Sequence, residues 1–456
     1  MPQLATHLND AGITLLNDQG IVYREPGFAI LNDDQLTTGN SAFGQARINP
    51  RRIQHRYWSA LESTPLTDKR FNHLSAADLV SRQLEQMWAA AGDAERRLIV
   101  AVPAYMSADN LGLLLGVAGD VGLSFVTLVD AAVAATRREY KDAVLVHIDI
   151  GLHESMLSRM LQNGQSQVEQ TEVLQDCGVH ALYNAWIKVL AETFVQQSRF
   201  DPLHTAETEQ ILLNNLGKWL ALASTDEVVA LELEFAGITH CAEIESLSLI
   251  TAVAPIYQMI VSKLRALYRA EEVPAIQITD RVARLPGLAD MLKARVGGEI
   301  FALEPGATAR GALARCRDRQ ASAAAVSLLR QLPWDQAAFT LERPEVDKTP
   351  GNVPTHILHK NTAYAIDPLP LVMGSQSSES DRSVLIGSDM PGVSRRHCSV
   401  SRVGQQCIVE DHSRYGTFVN GHRISGSTVL QVGDSLRVGS PGHEFQLITT
   451  DEDHGA

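Results

Sequence analysis

Cysteine is scarce in this chain, and its spacing is irregular. Five cysteines are spread over 456 residues, and none lies in a CxxC or CxH pattern. The sequence therefore favours neither a disulfide framework nor a structural zinc site, and we assign no metal ligands. The five are Cys177, Cys241, Cys316, Cys398 and Cys407.

Several catalytic signatures are also missing. The chain has no GxxxxGK[ST] phosphate loop, no HExxH and no GxSxG, which argues against P-loop NTPases, zinc proteases of that type and serine hydrolases. A formal net charge of −14 disfavours nucleic acid as a partner, because attraction to a phosphate backbone needs a basic face.

Targeting and membrane signals are equally weak. Met1 to His7 lacks a basic stretch followed by an apolar run, so no secretory signal is visible. The most apolar stretch, Leu111 to Val133, is interrupted by Asp120, and a charge inside a bilayer is costly. We therefore predict a cytoplasmic protein without membrane insertion.

Composition and length indicate more than one domain. Hydrophobic residues make up 45% of the chain and charged residues 20%, as in ordinary globular proteins. The segment LERPEVDKTPGNVP at 341–354 carries three prolines, which cannot sustain a helix or a central strand. We predict a domain at 1–340, a linker at 341–354 and a second domain at 355–450.

The two predicted domains differ in pattern. Before the linker, short apolar runs such as 98–103, 124–129 and 143–150 alternate with amphipathic stretches, which predicts an α/β architecture. The Ala- and Leu-rich stretch 311–332 is predicted to be helical. After the linker, short β-like runs alternate with Gly, Pro, Asp and Ser turns, which is typical of a β-sandwich.

Three motifs in the second domain resemble the forkhead-associated (FHA) family. GVSRRHCSV lies at 392–400, EDHSRYGTFVNG at 410–421 and LQVGDSLRVG at 430–439. They follow the family order of Ser-x-x-His, Ser-x-x-Gly-Thr-x-x-Asn-Gly and a Gly-Asp turn. Asn420-Gly421 also predicts a hairpin, because that pair favours positive φ. The resemblance implies an all-β FHA sandwich that binds proteins.

The resemblance also implies where a phosphothreonine would bind. Ser394 would offer its hydroxyl to the phosphate with Arg395 beside it, and Arg396, Ser413 and Arg414 would complete the site. Structural roles fall to Gly374, His397, Gly416 and Asn420.

Two departures from the family pattern leave the ligand open. The Gly-Arg that opens the family's site becomes Gly-Ser here, at Gly374-Ser375 or, less suitably spaced, at Gly387-Ser388. Ser413-Arg414 stands where the family has a threonine and an asparagine. Either the arginines rebuild an anion site for a threonine-phosphorylated partner, or the sandwich binds protein without phosphate.

The first domain resembles the ATPase fold shared by the seventy-kilodalton heat-shock chaperones, actin-like proteins and sugar kinases. The matching segments are in family order, as the following three show. They are LIVAVPAYMSADNLGLLLGVAGDVGLSFVTLVDAAVAAT at 98–136, VHIDIGLHES at 146–155 and ITDRVARLPGLADML at 278–292. The resemblance implies two lobes around a cleft for ATP and magnesium, with Asp10, Gly12, Asp149 and Gly151 on the two phosphate loops.

The residues that would perform ATPase chemistry depart from this pattern. The register of the first loop leaves His7 or Asp10 at the aspartate position. Leu152, His153 and Glu154 replace the Gly-Gly-Thr of the second loop, and the adenosine Gly-Gly becomes Thr279-Asp280 or Asp280-Arg281. Arg56 is the one basic residue near the family's lysine, and Asp130 replaces the catalytic glutamate.

Together these changes favour a pocket that has lost hydrolysis. We predict an adaptor or regulatory protein of a signalling kind: a chaperone-like pseudo-ATPase scaffold followed by an FHA domain. The alternative is an active Mg-ATP-binding ATPase whose lobe closure controls the FHA domain, with Asp130 as a catalytic candidate.

Overall fold

The computed structural model divides the chain into two compact units. The N-terminal unit comprises Met1–Tyr268 and Val273–Leu341, and the C-terminal unit comprises Arg269–Glu272 and Glu342–Ala456. The structure describes residues 4–32, 35–69, 71–92, 97–269, 272–317, 326–340, 353–359, 362–376, 382–386, 392–404, 406–439 and 442–449. Most of the predicted linker 341–354 lies outside the described residues.

Two six-stranded sheets organise the N-terminal unit. The first has the order β17-β8-β7-β1-β2-β3. Strands β1 to β3 form an antiparallel meander, and β1 also pairs in parallel with β7, which pairs in parallel with β8. Its strands are β1 Leu4–His7, β2 Ile13–Asn17, β3 Gly20–Glu25, β7 Arg97–Val102, β8 Ser124–Asp130 and β17 Leu328–Leu329.

The second sheet repeats this arrangement. Its order is β16-β15-β10-β11-β12-β18. Strands β10 to β12 form an antiparallel meander, and β10 pairs in parallel with β15, which pairs in parallel with β16. Its strands are β10 Val144–Ile150, β11 Ser155–Gln162, β12 Gln165–Leu174, β15 Pro274–Ile278, β16 Glu299–Ala302 and β18 Gln331–Pro333.

Small strand groups complete the N-terminal unit. Three strands form one sheet, and two pairs form two-stranded ribbons. The three-stranded sheet contains β4 Ala29–Asn32, β5 Gln35–Thr38 and β6 Ile53–Gln54; the ribbons are β9 Tyr140–Lys141 with β19 Phe339–Thr340, and β13 Val228–Phe235 with β14 Ile238–Glu245.

The helices cover the sheets and pack between them. Ser75 caps α2 and Ser107 caps α3, each by accepting the backbone N–H three residues later in a capping box. Ten helices lie among the described residues: α1 Asn40–Phe43, α2 Ala76–Ala89, α3 Ala108–Asp120, α4 Ala131–Ala135, α5 Val179–Ser198, α6 Ala206–Ala223, α7 Ser246–Ala266, α8 Asp280–Ala283, α9 Leu288–Val296 and α10 Ala307–Cys316.

Apolar burial joins the two sheets into one unit. One cluster packs sheet one against α2 and α3, and another packs sheet two against α5, α6 and α7. A third cluster contains Ala101 from sheet one, Leu145 from sheet two and Ala309 from α10, all fully buried. Small side chains on α4 and α10 therefore let the two sheets approach closely.

Helix α7 is long and apolar enough, by length and composition, to cross a membrane. In this structure Leu249, Val253, Tyr257 and Ile260 of that helix are buried in the core beside sheet two. The helix therefore packs here as a core helix.

The predicted helix over 311–332 is wrong in its second half. Helix α10 ends at Cys316, and β17 and β18 follow at 328–333. Strand β17 pairs with β8 of sheet one, while β18 pairs with β12 of sheet two. Pairing with two sheet edges thus overrides the local helix propensity of the Ala- and Leu-rich sequence.

The C-terminal unit is a sandwich of two sheets. A six-stranded sheet of order β21-β20-β30-β29-β26-β27 and a five-stranded sheet of order β23-β22-β24-β25-β28 enclose a core that includes Met373, Val400, Leu436 and Phe445. The strands are β20 His356–His359, β21 Thr362–Ala365, β22 Leu371–Gly374, β23 Arg382–Leu385, β24 Cys398–Val403, β25 Gln406–Asp411, β26 Thr417–Val419, β27 His422–Arg423, β28 Ser427–Leu430, β29 Ser435–Gly439 and β30 Gly442–Ile448.

Candidate functional site

His397 joins two loops at one end of the sandwich. Its ring is fully buried at the start of β24. The Ser394 N–H donates to His397 Nδ1 at 3.0 Å, so Nε2 carries the proton and donates to the Gly416 carbonyl at 3.0 Å. Burial lowers the pKa of His397, which keeps this neutral form at pH 7. The histidine thus fixes the loop 392–397 against the loop 412–416.

Ser394 provides a second link between these loops. Its Oγ accepts the Arg414 N–H at 3.3 Å, and the side chain is half-buried. The hydroxyl proton remains able to donate to an anion at the loop end. The Ser394 hydroxyl therefore lies where the two loops meet.

Ser413 stabilises its own turn. Its Oγ accepts the Gly416 N–H at 2.7 Å, and its N–H donates to Asp411 Oδ1 at 3.0 Å. The Thr417 hydroxyl donates to the same carboxylate oxygen at 2.8 Å. Burial opposes ionisation of Asp411, but these hydrogen bonds lower its pKa below the usual range. The Ser413 hydroxyl is therefore used structurally as well as lying at the site.

Gly374 ends β22 directly beneath the Ser394 loop. A Cβ at this position would lie 2.0 Å from the Arg395 carbonyl oxygen. The Ser375 N–H donates to the Ser394 carbonyl at 3.1 Å. Only glycine allows this approach, and the structure thereby brings Gly374-Ser375 to the site. The alternative pair, Gly387-Ser388, lies outside the described residues.

Asn420 holds the hairpin after β26. Its φ of 51° lies in the left-handed region, its Nδ2 donates to Asp434 at 2.7 Å, and its Oδ1 accepts the Ser435 N–H at 2.9 Å. The side chain thus connects the β26–β27 turn to the Gly433-Asp434 turn, a structural use of both of its polar atoms.

Four exposed arginines surround this loop end. Arg395 and Arg396 precede His397, Arg414 follows Ser413, and Arg423 lies on β27. The Arg423 guanidinium packs on Gly416, since a Cβ there would lie 2.6 Å from Arg423 Nε. Among the described residues, no carboxylate forms an ion pair with any of the four. Their planar forks therefore stay open to an anion.

A comparison with protein families matches the part of the chain that carries this site. The model of the FHA domain matches residues 371–439. Residues 371–439 form an FHA domain. This confirms the C-terminal resemblance and supports a role in protein interaction. No curated protein matches the chain.

One arginine of the FHA domain escaped prediction from sequence. Arg423 lies outside the three motifs and becomes a neighbour of Gly416 only because β27 folds back on β26. The Asn420-Gly421 turn could have indicated this, because a two-residue hairpin returns the chain beside the strand before it.

A second group of polar residues lies in the N-terminal unit, where the β1–β2 loop meets the β10–β11 loop. The Asn9 amide donates to Asp149 Oδ2 at 2.7 Å, and the Leu152 N–H donates to Asp10 Oδ1 at 2.7 Å. A Cβ on Gly151 would lie 2.8 Å from Asp10 Oδ1. The structure therefore brings Asp10, Asp149 and Gly151 together, and we call this place the cleft.

Charges in the cleft are buried. Burial raises the pKa of Asp10 to about 6 and lowers that of His7 to about 3. Burial alone would raise the pKa of Asp149, but its polar and charged surroundings, including Arg281, lower it. His7 Nε2 lies 3.4 Å from Asp149 Oδ2. Asp149 is therefore ionised at pH 7 beside a neutral histidine.

Gly12 faces Arg281 instead of open space. The Arg281 Nη2 donates to the Gly12 carbonyl at 2.5 Å, and its Nη1 lies 3.6 Å from Asp149 Oδ1. The side chain is only 9% exposed. The Arg281 side chain thus lies between the two loops.

The backbone donors of the two loops are used within the protein. Ala11 and Gly12 donate to the side chain and backbone oxygens of Asn9, and Gly151 donates to the Glu154 carbonyl at 2.7 Å. With Leu152 N–H on Asp10, these four N–H groups have partners. Phosphate binding by such loops depends on free N–H groups. These four N–H groups are therefore not free to bind a phosphate in this structure.

Asp130 and Arg56 lie apart from the Asp10–Asp149 contacts. Asp130 caps α4, accepting the N–H groups of Ala132 at 2.9 Å and Val133 at 3.3 Å. Burial raises the pKa of Asp130, and the residue lines a separate cavity of 290 Å³. Arg56 pairs with Asp176 on the surface at 2.8 Å. Asp130 thus has a structural use as a helix cap.

Proposed function

We propose that this protein is an adaptor or regulatory protein whose FHA domain binds threonine-phosphorylated protein partners. The observation that carries the proposal is the arrangement of Ser394 with four exposed arginines at one end of the sandwich, none of which forms an ion pair with a described carboxylate. A phosphate dianion is recognised by a hydroxyl donor and bidentate guanidinium forks. Arg395, Arg396 and Arg414 supply in this proposal what the missing Gly-Arg arginine supplies in the family.

The N-terminal unit is proposed to act as a scaffold. We propose that it has the two-lobe fold of the actin and heat-shock chaperone superfamily, which the repeated strand order of its two sheets supports. We further propose that it is a pseudo-ATPase, because the loop N–H groups that would hold phosphate already have partners. We place the protein in the cytoplasm, where its five free cysteines would stay reduced.

The binding proposal is tested with the full chain and a degenerate library of threonine-phosphorylated peptides. Tight binders should lose about ten- to one-hundred-fold in affinity in Ser394→Ala or in Arg414→Gln, since charge-assisted hydrogen bonds contribute about 1.5–3 kcal/mol. Matched controls are Ser401→Ala, on β24, and Arg265→Gln, on α7, which should bind as the wild type does.

Phosphatase treatment separates the two modes of FHA binding. Removal of phosphate from a selected peptide should abolish binding. Equal affinity for the phosphorylated and dephosphorylated peptides would contradict the proposal and favour phosphate-independent protein binding.

A further inference from the structure

Arg281 lies just after a strand of sheet two and contacts a loop of sheet one. It follows β15 of sheet two, in helix α8, and donates to Gly12 in the β1–β2 loop of sheet one. Its second nitrogen approaches Asp149 at the end of β10. The guanidinium therefore lies where the two loops meet.

Reciprocal bonds cross the same boundary. Arg24 on β3 of sheet one donates to Asp280, the neighbour of Arg281, at 2.7 Å. Asn9 of sheet one donates to Asp149 at 2.7 Å and to the Ile150 carbonyl at 3.0 Å. Side chains from each sheet thus hold backbone or carboxylate groups of the other.

Asp149 is held by three hydrogen bonds from the protein. Its Oδ1 accepts the Thr279 hydroxyl at 2.8 Å and the Ile150 N–H at 2.9 Å, and its Oδ2 accepts the Asn9 amide. Arg281 is the charged counter-ion beside it. A buried carboxylate that loses such a counter-ion is strongly destabilising, because its charge is left uncompensated.

We propose that Arg281 is an internal cation that takes the place of magnesium and nucleotide in the cleft and holds the two sheets together without any ligand. This inference rests on the proposed pseudo-ATPase scaffold and adds to it a specific residue and role. The protein would then keep one closed arrangement of the N-terminal unit at all nucleotide concentrations.

The test is thermal unfolding of the full chain, followed by tryptophan fluorescence. All five tryptophans lie between Trp58 and Trp334, so this signal reports the N-terminal unit alone. We expect Arg281→Gln to lower the unfolding temperature by about 5–10 °C. Arg310→Gln is the matched control, because Arg310 pairs with Glu304 on the surface, and it should shift the temperature by about 1 °C or less.

A double-variant cycle keeps the test valid if Arg281→Gln folds poorly. Asp149→Asn removes the charge that Arg281 compensates, so the pair Asp149→Asn/Arg281→Gln should unfold at a higher temperature than the sum of the two single shifts predicts. Arg281→Lys, which keeps the charge but not the fork, should fall between wild type and Arg281→Gln. An additive cycle would overturn the proposal.

Two measurements separate failure of the internal-cation role from failure of the pseudo-ATPase scaffold. An Arg281→Gln protein as stable as the wild type would overturn the internal-cation role while leaving the pseudo-ATPase scaffold standing. A rise in the wild-type unfolding temperature with 5 mM Mg-ATP, about five thousand times a Kd of about 1 μM, would overturn both, because ligand binding must stabilise the native state.

Discussion

The FHA loop end and the cleft of the N-terminal unit are built from similar parts and use them differently. Each joins two loops through a buried side chain, His397 in one and Asp149 in the other. Around His397, arginine forks and the Ser394 hydroxyl remain open at the surface. Around Asp149, several loop N–H groups, the Asp149 carboxylate and one Arg281 nitrogen are hydrogen-bonded within the protein. Asp10 Oδ2, Glu154 Oε2 and Arg281 Nε are buried there without a hydrogen-bond partner among the described residues.

The difference shows how a candidate binding site can be told apart from a structural site within one chain. Unpaired donors on a rigid loop end can bind an anion, because the fold already holds them in place and little conformational entropy is lost on binding. Donors that have partners within the protein stabilise the fold instead. Four predictions would break or sharpen this comparison.

The largest loss of stability is expected in the N-terminal unit when the pH is lowered. Burial lowers the pKa of His7 to about 3 and that of His147 to about 4. Below the unfolded-state pKa of about 6.5, the unfolded chain binds protons that the folded N-terminal unit does not, so its stability falls as pH falls.

Two carboxyls oppose this trend. Burial raises the pKa of Asp10 to about 6 and that of Glu154 to about 7, so their protonation favours the folded state on acidification. The histidines outnumber them, since burial also lowers the pKa of His55 and His153. We expect a net loss of about 3 kcal/mol between pH 7 and pH 5, after reduction for solvent screening. Urea unfolding followed by tryptophan fluorescence measures it, and a flat profile would contradict the buried neutral histidines.

His397→Ala is expected to have an effect of similar size, on the FHA domain. It removes two hydrogen bonds and leaves a cavity in the FHA domain, at a cost of about 3 kcal/mol. Because the ring fixes the Ser394 loop, affinity for phosphorylated peptides should fall as well. His422→Ala, an exposed position on β27, is the control.

Thiol labelling in urea measures this change within the full chain. Cys398 and Cys407 are buried in the FHA domain, while Cys177 and Cys316 are buried in the N-terminal unit. Earlier labelling of the first pair alone is the expected result. Unchanged labelling would show that His397 does not support the loops.

Gly374→Ala should cost about 2 kcal/mol in the FHA domain, because the new Cβ would meet the Arg395 carbonyl and force the backbone to move. Gly404→Ala is the comparison: its φ of 62° is unfavourable, but the Cβ would meet nothing within 4 Å. That change should cost about 1 kcal/mol and leave peptide binding unchanged. Equal peptide affinity in both variants would contradict the role of Gly374 beneath the site.

Asn420→Ala is expected to have the smallest effect, about 1–2 kcal/mol, from lost hydrogen bonds and a positive φ. Asn420→Gly keeps the turn conformation and should cost less. Both should bind phosphorylated peptides like the wild type, since Asn420 uses its polar atoms within the fold. A loss of affinity in Asn420→Gly would place this residue in the binding site.

The sequence predicted the FHA domain closely because its signals are local. Turn residues such as Asn420-Gly421 and Gly433 mark strand ends, and short β-like runs between turns mark the strands, so a series of short strands is found after the linker as expected. Ser394 and His397 were assigned from the motif they share.

Other features depend on contacts between distant segments and could not be predicted. The stretch 328–333 forms strands because two sheet edges are there to pair with, although its composition favours a helix. The resemblance put Arg281 near the adenosine position, but its hydrogen bond to Gly12 and its ion pair with Asp149 require both loops to be in place. Arg423 reaches Gly416 for a similar reason.

Hydrogen exchange of the full chain tests the central contrast most directly. Exchange would be measured for the protein alone, with a selected phosphothreonine peptide, and with 5 mM Mg-ATP, about five thousand times a Kd of about 1 μM. We predict added protection at 392–397 and 412–416 with the peptide, and no change at 8–12 or 151–154 with Mg-ATP. Added protection of the cleft loops by Mg-ATP, or none of the FHA loops by the peptide, would contradict the account.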